Sequence, residues 1–299
     1  METWSFTPFP PLPPTLFPNT AFYTATSPGH QTYQITISYP FEWGTSAPAL
    51  ITDKTALTLY VLDGNALGQT ASEAVKRRVP VDATTPDTVV VSIGYPLTDA
   101  VYNLTQRAID FRPPGSAADA PPSGADAFLA FIDGALRPWV RGTAFPGVAF
   151  ARDALYGHSL GGLSVVYALV KEPELFDTFL VASPGLDLGL LDEVSRKFGI
   201  AEAQGAVVVA NGTGPAVSIS YGSLEQYPIR RKAESEAAFR VRQGVYAQYD
   251  MPVRSHELFH RLKWSGRVRD VVIKEYVGQD HFAVAASAIT DGMDYFFNW

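Results

Sequence analysis

Residues 154–163 read Ala154-Leu155-Tyr156-Gly157-His158-Ser159-Leu160-Gly161-Gly162-Leu163. A short apolar run enters a G-x-S-x-G string, and behind it Leu163, Val166, Tyr167 and Val170 fall on one helical face. Strand, sharp turn and helix in that order form a nucleophile elbow, which lifts a serine hydroxyl above the carboxyl edge of a sheet. Small residues at 157 and 161 allow the tight backbone turn, and Gly162 allows the helix to lie close to the strand. The string alone would equally suit an idle serine in a Gly-rich turn; the strand before it and the helix after it give Ser159 its chemistry.

Further strands are predicted on both sides. Leu57–Leu62 and Val89–Ile93 are short apolar runs ending in Asp63-Gly64-Asn65 and Gly94-Tyr95-Pro96, and Phe179–Ala182, Val217–Tyr221 and Val271–Tyr276 are similar. Such runs mark strands buried on both faces, whereas Gln34–Tyr39 alternates as a half-buried strand does. Helical stripes lie between and after them: Phe128, Phe131, Ile132, Ala135 and Trp139, then Phe282, Ala285, Ile289 and Phe296. The expected fold is α/β, an α/β-hydrolase with a doubly wound, mostly parallel sheet and helices on both faces. Residues 1–20 hold six prolines and read as an extended arm. Residues 21–299 read as one domain, with a lid-like insertion at about 183–216.

Composition excludes several alternatives. The 299 residues are 46% hydrophobic and 18% charged, a globular balance. A formal charge of −7 argues against a nucleic-acid binder, and no apolar run is long enough for a membrane helix. There are no cysteines, hence no disulfides or thiolate metal sites. The opening Met1-Glu2-Thr3-Trp4 lacks a basic, apolar leader pattern. The expectation is a cytoplasmic enzyme acting on a small-molecule ester, with no cofactor, no metal, no nucleic acid and no membrane.

A nucleophilic serine needs a base and a group to orient that base. Of five histidines, His281 follows the last strand in Val277-Gly278-Gln279-Asp280-His281 and precedes the final helix, on the same edge as the elbow. The acid is expected after the penultimate strand, where Gly222-Ser223-Leu224-Glu225 offers Glu225; Asp280, Asp187 and a dyad without an acid stay open. Oxyanion donors are expected from the backbone N–H groups of Leu160 and Asn65, with Gly64 permitting the turn that presents the latter and itself expected to line the substrate site.

His256-Glu257-Leu258-Phe259-His260 matches the zincin string H-E-x-x-H. Lys263 and Gly266 stand where a metzincin has its Gly and third His, and the segment falls at the penultimate crossover helix. Solvated helix histidines are the expected reading, with Phe259 and Leu262 facing the core.

In order along the chain stand Tyr60-Val61-Leu62-Asp63-Gly64-Asn65, Ile93-Gly94-Tyr95-Pro96, Arg107-Ala108-Ile109-Asp110-Phe111 and Gly124-Ala125-Asp126-Ala127-Phe128-Leu129. Gly157-His158-Ser159-Leu160-Gly161-Gly162, Ser183-Pro184, Gly222-Ser223-Leu224-Glu225 and His281 follow. With this ordered set the chain resembles the esterase-D-like α/β-hydrolases, particularly the ferric-siderophore esterases that open enterobactin-, salmochelin- and bacillibactin-type trilactones. The resemblance implies Ser159 as nucleophile and His281 as base, supports Asn65 and Leu160 as oxyanion donors, and is consistent with Glu225 as acid. It puts Arg107 either near an anionic ligand or in a structural pair with Asp110. Bacterial members often carry tryptophans after the Ser-Pro, where this chain has Gly185-Leu186-Asp187. A hydroxamate siderophore is therefore favoured over a catecholate, and an intracellular fungal enzyme is the implied setting. Within this class an acyltransferase or a general small-ester esterase remains open; outside it, a non-catalytic binding protein or a zinc protease.

Overall fold

The computed structural model describes residues 17–29, 31–44, 47–96, 100–115, 122–199 and 214–299. Most of the expected Pro-rich arm and residues 200–213 of the expected insertion lie outside these. One eight-stranded sheet comprises β1 (Thr20–Thr26), β2 (Thr32–Ser38), β3 (Thr52–Leu62), β4 (Thr88–Gly94), β5 (Gly147–His158), β6 (Thr178–Ala182), β7 (Ala216–Gly222) and β8 (Asp270–Tyr276). Its order is β1-β2-β4-β3-β5-β6-β7-β8. β1 and β2 are antiparallel to their neighbours, and the rest of the sheet is parallel.

Each apolar run expected to form a strand does so. β4 and β6 are buried along their whole length because helices cover both faces. β3 shows how: Leu57, Leu59 and Val61 enter one core layer with Leu67, Ala71 and Ile289, while Tyr60 and Leu62 enter the other with Phe128 and Leu163. β1 gave little sequence signal because it is an edge strand with no fully buried side chain.

The helices are α1 (Gly64–Lys76), α2 (Leu104–Asp110), α3 (Ala125–Phe131), α4 (Arg137–Trp139), α5 (Leu160–Lys171), α6 (Leu188–Phe198), α7 (Glu236–Tyr249), α8 (Met251–Lys263) and α9 (His281–Phe297). Wider π turns at Ile132–Leu136 and Val140–Ala144 join α3 and α4 into one winding segment. They shift the expected stripe: the buried positions are Phe128, Ile132, Leu136, Val140 and Ala144, four apart, and Ala135 is exposed. A π turn holds more residues than an α turn, so spacing by four keeps one face inward. Phe282 likewise leaves its expected stripe. It lies in the first turn of α9 and is 67% exposed, while Ala285, Ile289 and Phe296 are buried.

The described part of the expected insertion is the crossover between β6 and β7. In α6, Leu190, Leu191, Val194 and Phe198 are buried in the main core, so it belongs to the layer that covers the sheet. α7 contrasts with it, burying only Tyr246.

Candidate active site

β5 ends at His158 and α5 begins at Leu160, leaving Ser159 alone at the turn with φ 59° and ψ −119°. A non-glycine residue rarely holds a positive φ, and here the surroundings enforce it. The Ser159 N–H donates to Ala182 O at 3.0 Å, and the Ser159 carbonyl accepts from Leu163 N at 3.0 Å and Gly185 N at 3.2 Å. A Cβ on Gly157 would stand 2.3 Å from Gly161 O, and one on Gly162 would stand 2.7 Å from Ala182 O. The elbow therefore requires glycine at both positions.

Two loops at the same edge are laced together. After β7, Ser223 N donates to Tyr276 O and Leu224 N to Gln279 O, each at 3.1 Å. In return Gly278 N donates to Ser223 Oγ at 2.8 Å. The lacing brings Glu225 and His281 together. Facing a carboxylate, His281 Nδ1 carries the proton and donates to Glu225 Oε1 at 3.2 Å. The same oxygen accepts from Ser183 Oγ at 2.6 Å. Glu225 is 1% exposed. Nδ1 is thereby engaged and Nε2 is left as the acceptor.

The other carboxylates weighed for this position are occupied elsewhere. Asp187 Oδ1 caps α6 by accepting from Leu190 N at 2.8 Å. Asp280 Oδ1 caps α9, accepting from Phe282 N and Ala283 N. The ring of His281 packs 4.4 Å, centroid to centroid, from His158, the residue before Ser159. No hydrogen bond joins Ser159 Oγ to His281 among the described residues; such bonds tighten when substrate is held.

The turn after β3 supplies the other wall. Asp63 caps α1 with φ 53°, followed by Gly64, whose Cβ would stand 2.8 Å from Ile93 N. The side chain of Asn65 clasps the next strand end: Tyr95 N donates to Oδ1 at 2.7 Å, and Nδ2 donates to Tyr95 O at 3.0 Å. With its side chain clasping Tyr95, Asn65 presents its backbone N–H, in the first turn of α1, to a ligand. Leu160 N–H occupies the equivalent first-turn position of α5.

Arg107 does not pair with Asp110. Its Nε and Nη2 donate to Asp63 Oδ1 and Oδ2 at 2.9 and 2.7 Å, a bidentate ion pair. Burial pushes the Asp63 carboxyl up, and the Arg107 bonds oppose that shift. Asp110 instead accepts from Tyr95, Tyr33, Gln31 and Gln106. The reason is reach: Arg107 and Asp63 meet beside the elbow, where a Cβ on Gly161 would lie 3.4 Å from Asp63 Oδ2.

The H-E-x-x-H segment lies on α8, as expected from sequence. His256 Nε2 is 2.9 Å from Tyr221 OH, and Glu257 pairs with Arg254 and Arg261. A base held by two guanidiniums is a structural ion pair. Phe259 is partly buried and Leu262 fully buried against the core. Among the described residues the one His/Asp/Glu group close enough to share an ion is His158, Glu225 and His281.

Sequence reasoning passed over two residues. Ser183, within the noted Ser-Pro pair, has φ 42° and aims its hydroxyl at Glu225. His158 was read only as the variable residue of the elbow, yet its ring backs His281; burial pushes its imidazolium well below the ordinary range, with the nearby His281 adding to the effect.

A family model described as "Putative esterase" matches residues 52–256. The chain belongs to this esterase family. The esterase is 36% identical over 312 residues to the siderophore enterobactin esterase of Emericella nidulans, covering 100% of this chain and 99% of that one. It is 33% identical over 288 residues to the siderophore triacetylfusarinine C esterase of Aspergillus fumigatus, covering 96% of each. The solved siderophore hydrolase EstA from Aspergillus nidulans superposes with a TM-score of 0.85 at 36% identity, over 99% of both chains. The α/β-hydrolase fold expected from sequence is thus shared with solved siderophore hydrolases, and the enzyme is an ester hydrolase. No helix among the described residues is long and apolar enough to cross a membrane.

Proposed function

We propose that this esterase opens ester bonds of a ferric siderophore through an acyl-enzyme on Ser159. The observation that carries the mechanism is the strained Ser159 elbow set beside a His281 whose Nδ1 is held by buried Glu225. In this reading His281 Nε2 takes the Ser159 proton as Oγ attacks the ester carbonyl, and Glu225 steadies the imidazolium that forms. The oxyanion is received by the N–H groups of Leu160 and Asn65. Collapse passes the proton from His281 to the leaving alkoxide and leaves an ester on Ser159. Water, deprotonated by the same histidine, then releases the carboxylate and restores the serine. The iron travels with the substrate and takes no part in these steps.

Arg107 enters this reading as a support and not as a substrate contact. Its bonds to Asp63 hold the turn that carries Gly64 and Asn65. Hydroxamate siderophores are the favoured substrates, because Gly185-Leu186-Asp187 offers no aromatic ring for stacking a catechol. Support for the substrate class comes from the relatives named for enterobactin and for triacetylfusarinine C. The proposal includes a cytoplasmic location, which cell fractionation tests.

The test of the chemistry is labelling by a fluorophosphonate in the presence of EDTA, with the modified peptide mapped by mass. Labelling at Ser159 that disappears in Ser159→Ala and needs His281 is expected. A folded sample that takes no label overturns the reading. Hydrolysis of ferric triacetylfusarinine C faster than ferric enterobactin is the expected order, and the reverse order removes the hydroxamate preference. Product analysis with added alcohols distinguishes hydrolysis from acyl transfer.

A further inference from the structure

Two buried polar atoms beside the candidate active site have no hydrogen-bond partner. His158 Nε2 and Glu225 Oε2 are both sealed from solvent and unbonded, in residues 4% and 1% exposed. Leaving a buried polar atom unpaired is costly, so each such atom calls for an explanation. Glu225 is also a buried carboxylate that no Lys or Arg side chain contacts among the described residues. One ligand atom from each of His158, Glu225 and His281 lies within 4.8 Å of the others. An ion bound tetrahedrally at about 2.1 Å would hold neighbouring ligand atoms roughly 3.4 Å apart. Side-chain rotations closing each gap by little more than an ångström therefore complete the set.

We propose that His158, Glu225 and His281 form a binding site for a divalent transition cation of the Zn2+ class, and that its occupancy switches the esterase off. Two imidazoles and a carboxylate are a donor set suited to such ions and poorly suited to Ca2+ or Mg2+, which prefer all-oxygen shells. The cation supplies the positive partner that Glu225 lacks. It also takes His281 and Glu225 out of their mutual hydrogen bond, so the base no longer serves Ser159. Binding itself depends only on the three side chains; the loss of activity rests on the serine mechanism proposed above.

The experiment separates the two. Zn2+ binding is measured by calorimetry on Ser159→Ala, which removes the chemistry and keeps all three donors, and on its combination with His158→Gln. A single site is expected in the first, with Kd rising at least about 100-fold in the second, since even outer partners of metal ligands matter on a 10–100-fold scale. Co2+ in place of Zn2+ gives an independent signature, intense visible bands from a tetrahedral nitrogen–oxygen site, lost with His158→Gln. In the wild type, Zn2+ should slow fluorophosphonate labelling and EDTA should restore it. In His158→Gln the ratio of labelling rates with and without Zn2+, read within that variant, should stay near one, and a wild-type ratio there overturns the switch. Absence of a site on Ser159→Ala, or binding unchanged by His158→Gln, overturns the proposal. Failure of any sample to label, with binding intact, overturns the serine mechanism and leaves the cation site standing.

Discussion

Replacing Glu225 by Gln tests the least protected part of the mechanism, the orienting acid. The amide keeps the size of the side chain, and its oxygen still accepts from His281 Nδ1–H and Ser183 Oγ; the negative charge is what disappears. Glu225 Oε1 and His281 Nδ1 are 3.2 Å apart. Unit charges at about that separation, in an effective dielectric of about 20, attract by roughly 5 kcal/mol. This attraction exists only while His281 is protonated, that is, in the tetrahedral transition state, so its loss falls on kcat. Other dipoles recover part of it, leaving about 3–5 kcal/mol, or a fall of about 10²- to 10⁴-fold. The assay is kcat and KM on a chromogenic ester together with the rate of fluorophosphonate labelling. Both rates should fall by a similar factor while KM changes by less than about threefold, since no ground-state contact is removed. Activity within threefold of wild type would refute the assignment and return the enzyme to a Ser–His dyad.

Three further outcomes are expected. Arg107→Met leaves Asp63 buried without its partner and should cost about 3–5 kcal/mol in urea unfolding, with much of that restored by adding Asp63→Asn; no recovery would mean that the pair is not what holds the turn. His158 is kept neutral by burial, so the unfolded chain binds a proton near pH 6.5 that the native protein refuses until well below that. Stability should therefore fall as pH drops below about 6.5, by at most about 1.4 kcal/mol per pH unit. Melting curves of wild type and His158→Gln across that range should converge at low pH, and parallel curves would refute the cause. Gly94→Ala would place a Cβ 2.0 Å from Asn65 Oδ1, breaking the clasp on Tyr95. That substitution should lower kcat by about 10- to 100-fold through the displaced oxyanion donor, and an unchanged kcat would remove Asn65 from that role.

What could be read from sequence follows burial. The five inner parallel strands were legible because burial on both faces leaves a continuous apolar run, as in Val89-Val90-Val91; β8, at the sheet edge, buries only Val271 and Tyr276 and was legible from its β-branched run, not from the two-sided burial expected of it. β1 was not, because an edge strand obeys no such demand. Chain order placed Ser159, Glu225 and His281 on one edge, since in a parallel sheet every strand's carboxyl end faces the same way. Sequence could not show that Asp187 and Asp280 were committed to capping helices, because capping depends on where a helix starts. Of the two settings left open for Arg107, the pair with the carboxylate three residues on does not form. Spacing suggests neighbours within a helix, but the bidentate pair formed with a residue forty-four positions earlier. The winding of Ile132–Ala144 was equally hidden, because a π turn changes the period on which a stripe is counted.

α1, α5 and α9 all begin at this one edge, at Gly64, Leu160 and His281. Each start carries an effective positive charge of about half a unit on its free N–H groups. What draws in the short-lived oxyanion also draws in the carboxylate that deacylation leaves behind. Turnover is thus set against departure, since the same field that lowers the chemical barrier lengthens the stay of the product. The acid fragment of a hydrolysed substrate is expected to compete with fresh substrate where its neutral amide counterpart does not. Salt should relieve that competition, and product inhibition insensitive to ionic strength would point to shape and not charge as what keeps the product in place.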